Sequence, residues 1–307
     1  MRRARFGAEG FWRAAGLVFC FFAAGALCRG GEFVFAYYNV ENYLPMVREV
    51  GGKRVDGAPK PEREVAAVVS MLKRCRPDIV GVAEMGDRGM LADFQRRLKA
   101  AGMDLPNVEW VAGDGGGRHL ALLSRFPIVA RNSRSDVPVE VDGKKFRMGR
   151  GILDVTVEAA PGYRLRLVGL HLKSRRAVTL YDERQFRARE ALVVRRHVDG
   201  ILGADPKVNL LVFGDLNDTK NEFPVQEILG APGGLRSLRA LELRDSAGLV
   251  WTHYWAAADV YSRIDYLMAS SGLWPEIKMR KSGIVGGREW AEASDHRPLF
   301  TTIVSRE

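Results

Sequence analysis

The sequence predicts an α/β fold, one domain in which buried strands alternate with amphipathic helices. Short apolar runs such as "LLVFGDLND" at 210–218 have the length and composition of interior strands. Between such runs lie segments with apolar residues three and four positions apart, the period of one helix face. No Pro/Ser/Gly-rich linker or internal repeat divides the 307 residues, of which 47% are hydrophobic and 27% charged. These values describe a globular chain with a large core and no indication of disorder.

The domain is expected to begin near residue 27. Arg2, Arg3 and Arg5 precede an apolar run from Ala14 to Leu27, and Ala24-Gly25-Ala26 fits a small-x-small cleavage site. Residues 1–26 are therefore expected to be a secretory signal, and the protein to be exported to the periplasm, the medium or the cell surface. The run is short for a spanning helix, which needs roughly 20 residues. The alternatives are a retained anchor and lipidation at Cys28, though Gly25-Ala26-Leu27 matches a lipoprotein signal poorly; only these would bring the protein to a membrane. Cys20 and Cys28 lie in or beside this segment, which leaves Cys75 alone in the domain, without a disulfide framework. Removing residues 1–26, with four Arg and one Glu, takes the net charge from +10 to +7. That balance suits a polyanionic partner.

"EFVFAYYNVENY" (32–43) forms the first strand and ends in Asn39, Glu41 and Asn42. The segment at 44–64, rich in Gly, Pro and charge, is expected to be a loop, followed by a helix holding Val65, Val68, Val69 and Leu72 on one face. "PDIVGVAEM" (77–85) is a buried strand ending at Glu84, and a helix runs near 90–100 with Leu91, Phe94 and Leu98 inward. "LALLSRFPIVA" gives two strands about a Pro-containing turn. "MGRGILDVTVEA" and "YRLRLVGLHLKSRR" pair about Pro161-Gly162, the second reaching His171. A helix from about 181 to 202 buries Ala191, Val194, Val198 and Ile201 and leads into the strand ending at Asp215. "SRIDYLMAS" places Asp265 inside a strand, and "ASDHRPLFTTIV" places Asp295 and His296 just before the last one.

The strand ends thus present Asn39, Glu84, His171, Asp215, Asn217, Asp265, Asp295 and His296. Ligands in α/β sheets sit outside the carboxyl ends of strands. Asp and Asn also close strands as turn formers, Glu84 could cap a helix, and Asp265 could pair with Arg263. Oxygen ligands with two histidines and no cysteine suit a hard cation, Mg²⁺ with Mn²⁺ or Ca²⁺ as alternatives, rather than zinc. A hard cation stabilises charge on a phosphoryl oxygen while histidines and a further carboxylate handle protons.

In their order, "YNVEN", "DIVGVAEM", "GRGIL", "GLHLKS", "FGDLND", "RIDYLM" and "SDHRPL" resemble the endonuclease/exonuclease/phosphatase superfamily, over roughly residues 32–304. The resemblance implies a four-layer sandwich, two mixed β-sheets packed face to face with flanking helices, and a metal-assisted phosphodiesterase site along one edge. It makes Glu84 the principal metal ligand, with Asn39 and Asp295 in the metal and phosphate region. It makes His296 a general base or phosphate-orienting group whose tautomer Asp265 fixes, sets Asp215 and Asn217 on the attacking water or phosphate, and lets His171 donate to a non-bridging oxygen. Arg150 of "GRGIL" joins the substrate contacts.

Substrate does not follow from the fold. "NVENYLP", "GRGIL" and "HLKSRR" look most like the secreted bacterial nuclease branch, for which nucleic acid is the partner; no stable protein partner is implied. Lys173, Arg175 and Arg176 directly follow His171 and are expected either to hold phosphates flanking the scissile one or to lie in a solvated turn. Trp251, Tyr254, Trp255 and Tyr261 could stack on bases, fill core, or form an apolar lip for a lipid headgroup enzyme. A phosphodiesterase or phosphatase on lipid or small esters, and a non-catalytic binding protein keeping the fold, are the alternatives.

Overall fold

The computed structural model describes residues 31–113 and 116–306, so the expected signal, Cys20 and Cys28 lie outside the described residues. Two six-stranded sheets carry the chain. The first runs in the order Gly283–Ile284, Leu299–Val304, Glu32–Tyr43, Ile79–Met85, His119–Ser124, Asn107–Val111. The second runs Leu238–Ala240, Asp265–Ser270, Leu210–Asp215, Tyr163–His171, Leu153–Ala160, Ile128–Arg131. Each sheet has one parallel pair at its centre, Glu32–Tyr43 with Ile79–Met85 and Tyr163–His171 with Leu210–Asp215. The other neighbours are antiparallel.

That arrangement creates the site. A parallel pair ends both its strands at the same edge, and an antiparallel neighbour begins there. Asn39, Glu84, His171 and Asp215 come from strand ends, while Asp265 opens its strand and His296 precedes the last one. Asp265 is thus the first residue of its strand, not an interior one.

Between the sheets lies an apolar layer that includes Phe35, Tyr37, Leu122, Leu167, Phe213 and Leu267. Phe213 sits between two glycines. A Cβ on Gly81 of the facing sheet would overlap its ring, and one on Gly169, its partner in register, would lie 2.7 Å from Cζ. Helices α1 (Glu62–Cys75) and α2 (Arg88–Ala100) bury Val68, Leu72, Phe94 and Leu98 against Val80 and Val82 on the outer face of the first sheet. Helices α3 (Glu183–Ala204) and α4 (Phe223–Leu229) bury Val194, Val198 and Val225 against Val168 and Val212 on the second. Helix, sheet, sheet and helix form the four layers expected.

Three local differences have plain causes. The expected loop at 44–64 contains a hairpin, Met46–Val50 with Lys53–Ala58, turning at Gly51 and Gly52 with positive φ. Most of its residues are exposed, so no buried alternation marked it. A second hairpin, Pro138–Val141 with Lys144–Arg147, turns at Asp142-Gly143 and buries Val139 and Val141. The two strands about Pro127 belong to different sheets, so that turn carries the chain from one sheet to the other.

Candidate active site

The edge is built from strained backbone. Glu41, Asn42, Glu84 and Asn217 all have positive φ, four of the seven non-glycine residues so placed among those described. Such conformations cost on the order of 1–3 kcal/mol each and persist where surrounding contacts impose them. Strand pairing shifts register between Asn39 and Tyr43, at the stretch that carries Asn39 and Glu84. Gly214 has φ +147, and a Cβ there would collide with the Leu170 carbonyl, so only glycine lets Asp215 and His171 lie side by side.

Asn39 ties the sheets together. Its Nδ2 lies 3.2 Å from Asp215 Oδ2, 3.3 Å from His296 Nε2 and 3.5 Å from Glu84 Oε1, while Oδ1 accepts from the Glu41 N–H at 3.1 Å. Glu84 Oε2 accepts from the Asn42 N–H at 2.9 Å and faces Arg118 at 3.5 Å. His171 Nε2 is 3.6 Å from Asp215 and 3.9 Å from Glu84. His296 Nδ1 is 2.8 Å from Asp265 Oδ2, and its Nε2 faces Asp215 at 3.7 Å and Asp295 at 3.8 Å. Asn217 closes the corner, its N–H donating to Asp215 Oδ1 at 2.8 Å and its amide to the Leu172 carbonyl at 3.0 Å.

Charge sets the proton states. Burial and the Asp265 carboxylate push Asp215 up to about 7, and burial with Asp295 pushes Glu41 up to about 6. Burial alone would make His296 a weaker base, but Asp265, Asp295 and Asp215 outweigh it and hold the imidazole well above its usual range. His171 is held well below, by burial first and then by Arg150, His296 and Arg118. One histidine is a charged donor and the other a neutral ring. A charged His296 and the amide nitrogen of Asn39 would be two donors facing each other at 3.3 Å. The Glu41 N–H holds Oδ1 and the two carboxylates hold Nδ2, so the amide keeps this orientation and its approach to a charged His296 is a contact between donors, not a hydrogen bond.

Buried negative charge is what a divalent cation would relieve, and the oxygen donors fit a hard one. Glu84, with the Asn39 amide 3.5 Å away, would hold the ion, whereas Asp295, expected beside it, lies with His253 and His296. The described residues also include two compact groups suited to metal, Asp215 with Asp265 and His296, and His253 with Asp295 and His296.

The other expected residues divide. Asp265 binds His296, whereas Arg263 donates to the Leu241 carbonyl, so the Arg263 pairing is not formed. Asp87, not Glu84, caps α2. Arg150 lies beside His171 and Lys173, among their principal charge influences. Lys173, Arg175 and Arg176 do not converge on the carboxylate cluster. The Lys173 ammonium is held by the Ser174 and Arg176 carbonyls at 3.0 and 2.8 Å. Arg175 is paired with Asp218 at 2.5 Å, where Arg187 also binds. Arg176 is exposed. Trp251 packs against Trp290, Tyr261 and Arg297, and Tyr254 stacks on Tyr261; Trp255 is 58% exposed. Cys75 has its thiol pushed up to about 12 by burial, consistent with an inert side chain.

Several site residues were not singled out from the sequence. His253 lies 3.7 Å from Asp295 with its ring 4.6 Å from that of His296. Thr252 Oγ1 accepts from the Ile264 and Asp265 N–H groups, and Ser294 Oγ donates to the Asn39 carbonyl. Only "SDH" and "RID" carried a local signal. Thr252 and His253 lie in an aromatic run whose apolar character hid them.

The fold and this cluster define a metal-dependent hydrolase of phosphate esters. The chain belongs to the Endonuclease/Exonuclease/phosphatase family, whose model matches residues 36–296. No curated protein matches the sequence. Among solved structures it is similar to truncated Caenorhabditis elegans TDP2, with 17% identity and TM-score 0.60 over 89% of this chain and 98% of that one. The human Nocturnin catalytic domain with bound sulfate anion gives 16% and 0.60 over 89% and 95%. Sphingomyelinase C from Streptomyces griseocarneus gives 16% and 0.55 over 89% and 99%.

Proposed function

We propose that the chain is an exported nuclease hydrolysing DNA or RNA phosphodiester bonds with Mg²⁺ as its cation. The observation that carries the chemistry is the single cluster in which Asn39 touches Glu84, Asp215 and His296 at once. A cation at Glu84 would neutralise charge on the phosphoryl oxygen. His296, charged and fixed by Asp265, donates from Nε2 to a phosphate oxygen. Asp215, with its proton affinity near neutrality, takes the proton of the attacking water. Asn217 fixes the Asp215 carboxylate, and neutral His171 donates to a second non-bridging oxygen.

Nucleic acid is favoured by the net charge of +7 left once residues 1–26 are removed from the +10 chain, and by Arg118 and Arg150 beside the cluster. An aromatic hairpin, His253–Trp255 with Val260–Ser262, adjoins the site through the contact of His253 with Asp295. Its exposed Trp255 and Tyr261 suit base stacking. The same exposed tip, with Val260, favours a second reading, hydrolysis of lipid headgroup esters.

The deciding assay incubates purified protein with Mg²⁺, Mn²⁺ or Ca²⁺ and plasmid DNA, single strands, RNA, sphingomyelin or inositol phosphates. Polynucleotide cleavage is expected; turnover of sphingomyelin alone sinks the nuclease reading. Export rests on the charged and apolar start of the sequence. N-terminal sequencing from a secreting host is expected to find a chain starting near Leu27, and an intact Met1 in membranes overturns that.

A further inference from the structure

Beside Glu84 and His171 opens a cavity of about 480 Å³ that the catalytic cluster does not use. Arg118, Arg147, Arg150, Lys173, Tyr181 and Glu190 line it. Its charge is one-sided, four cations against one carboxyl. Arg118 stands at the end nearest the cluster, 3.5 Å from Glu84, and its Nε donates to Asn42 at 2.8 Å.

Arg150 is the cation left over. Among the described residues it makes no ion pair, and its Nε is buried without a hydrogen-bond partner. Leaving a buried donor unmet costs about 1–3 kcal/mol, more for a charged group. Its position is nonetheless built with care. A Cβ on Gly113 would lie 2.7 Å from Arg150 Cα, and Gly151 takes φ +67. Lys173 has its ammonium committed to its own loop, so Arg150 and Arg118 are the donors an anion in the cavity would meet.

The far wall is aromatic. Phe186 stacks on one face of Tyr181 at 4.2 Å, and Phe146 meets both rings edge-on. This packing fixes Tyr181, which is half-buried and lines the cavity. Glu190, fully buried on α3, accepts the Lys173 N–H on Oε2 at 2.6 Å and leaves Oε1 without a partner. A cationic corner, a rigid ring and an unmet acceptor in one cavity, joined to the reacting cluster through Arg118 and Glu84, call for a ligand with an anion and a flat, N–H-bearing ring.

We propose that this cavity is the subsite for the nucleotide adjoining the scissile phosphate, with its phosphate on Arg150 and Arg118 and its base against Tyr181 and Glu190. The inference rests on the nuclease reading and extends it. It makes the preferred substrate one with a second phosphate a single nucleotide away, not an isolated ester.

Calorimetry with Ca²⁺ tests it without turnover. Thymidine 3′,5′-bisphosphate is expected to bind at least tenfold tighter than either thymidine monophosphate, and at least fivefold tighter than abasic deoxyribose 3′,5′-bisphosphate. Arg150→Gln is expected to bring the first ratio below about 3, and Tyr181→Leu the second. Should Arg150→Gln fail to fold, Arg118→Gln, at a partly exposed side chain, is expected to lower the first ratio by at least twofold. Wild-type ratios near one, or ratios that these variants leave unchanged, overturn the subsite. Polynucleotide cleavage with ratios near one sinks the subsite alone. Intact ratios without cleavage of any polynucleotide sink the nuclease reading alone.

Discussion

Asp215 and Asp265 face each other directly across antiparallel strands, two buried carboxyls in register at the edge of one sheet. Asp265 spends its charge on His296, and Asp215 is left with a raised proton affinity. Burial and the facing carboxylate together raise Asp215 to about 7.

The first prediction concerns stability. Because Asp215 is raised from 3.8 to about 7, the folded state binds its proton more tightly than the unfolded chain. The contribution of Asp215 to stability is therefore fully present below about 4 and is lost as pH rises through about 7. Asp215→Asn keeps an acceptor for the Asn217 N–H and removes the ionisation. In metal-free buffer at pH 8 its Tm is expected to exceed wild type by several degrees, from roughly 2–4 kcal/mol, with the gap closing near pH 4. An unchanged Tm across that range contradicts the placement of charge.

Activity is expected to move the other way. Asp215→Asn and His296→Ala each lower kcat/KM on DNA by about 10³-fold or more, because each removes a group that touches the reacting atoms. Asp265→Asn removes the carboxylate that keeps His296 charged, so it is expected to cost about 10²-fold and to shift the alkaline limb of the pH profile downward. Combining it with His296→Ala is expected to add little, since the two act as a unit. Fully additive losses would show that Asp265 acts elsewhere.

Metal dependence separates Glu84 from these residues. Glu84→Gln is expected to raise the Mg²⁺ concentration for half-maximal activity by about 10–100-fold, with much of the activity recovered at saturating metal. His253→Ala removes a ring that packs on His296 and faces Asp295, and is expected to cost less, about threefold to tenfold in kcat. If Glu84→Gln lost activity that no metal concentration restored, Glu84 would belong to proton transfer instead.

Much of this edge was legible because apolar strands that end in charge stand out. "LLVFGDLND" announced both a strand and its polar tip, and the pairing of 153–160 with 163–171 followed from two runs about Pro161-Gly162. The hairpin at 46–58 was not legible, since an exposed ribbon shows no buried alternation. Tertiary contact divides the residues of "HLKSRR". Adjacency in sequence made three cations look like one patch, yet Asp218 claims Arg175 and backbone carbonyls claim Lys173. Conversely Arg118 is far from every motif and enters only because its strand begins beside Asn42.

The last prediction turns on that redistribution. Each phosphate neutralised on duplex DNA contributes a slope of about 0.9 in log affinity against log salt. Were Lys173, Arg175 and Arg176 all phosphate contacts, removing Arg175 and Arg176 together would make the slope shallower by about two units. Arg175 is instead locked to Asp218 beside Arg187, holding the loop that follows His171 against the Asn217 corner. Arg176→Ala is therefore expected to change the slope by about one unit or not at all. Arg175→Ala is expected to leave the slope within half a unit of wild type and to lower Tm, because Asp218 loses one of its two partners while staying buried. Arg150→Gln is expected to remove about one unit, since among the described residues its guanidinium pairs with no carboxylate. DNA binding measured between about 50 and 200 mM salt checks all three. A two-unit loss in the Arg175/Arg176 double variant, with an unchanged Tm, would show that these arginines leave their partners to grip the substrate and that the ion pair with Asp218 is not held in the complex.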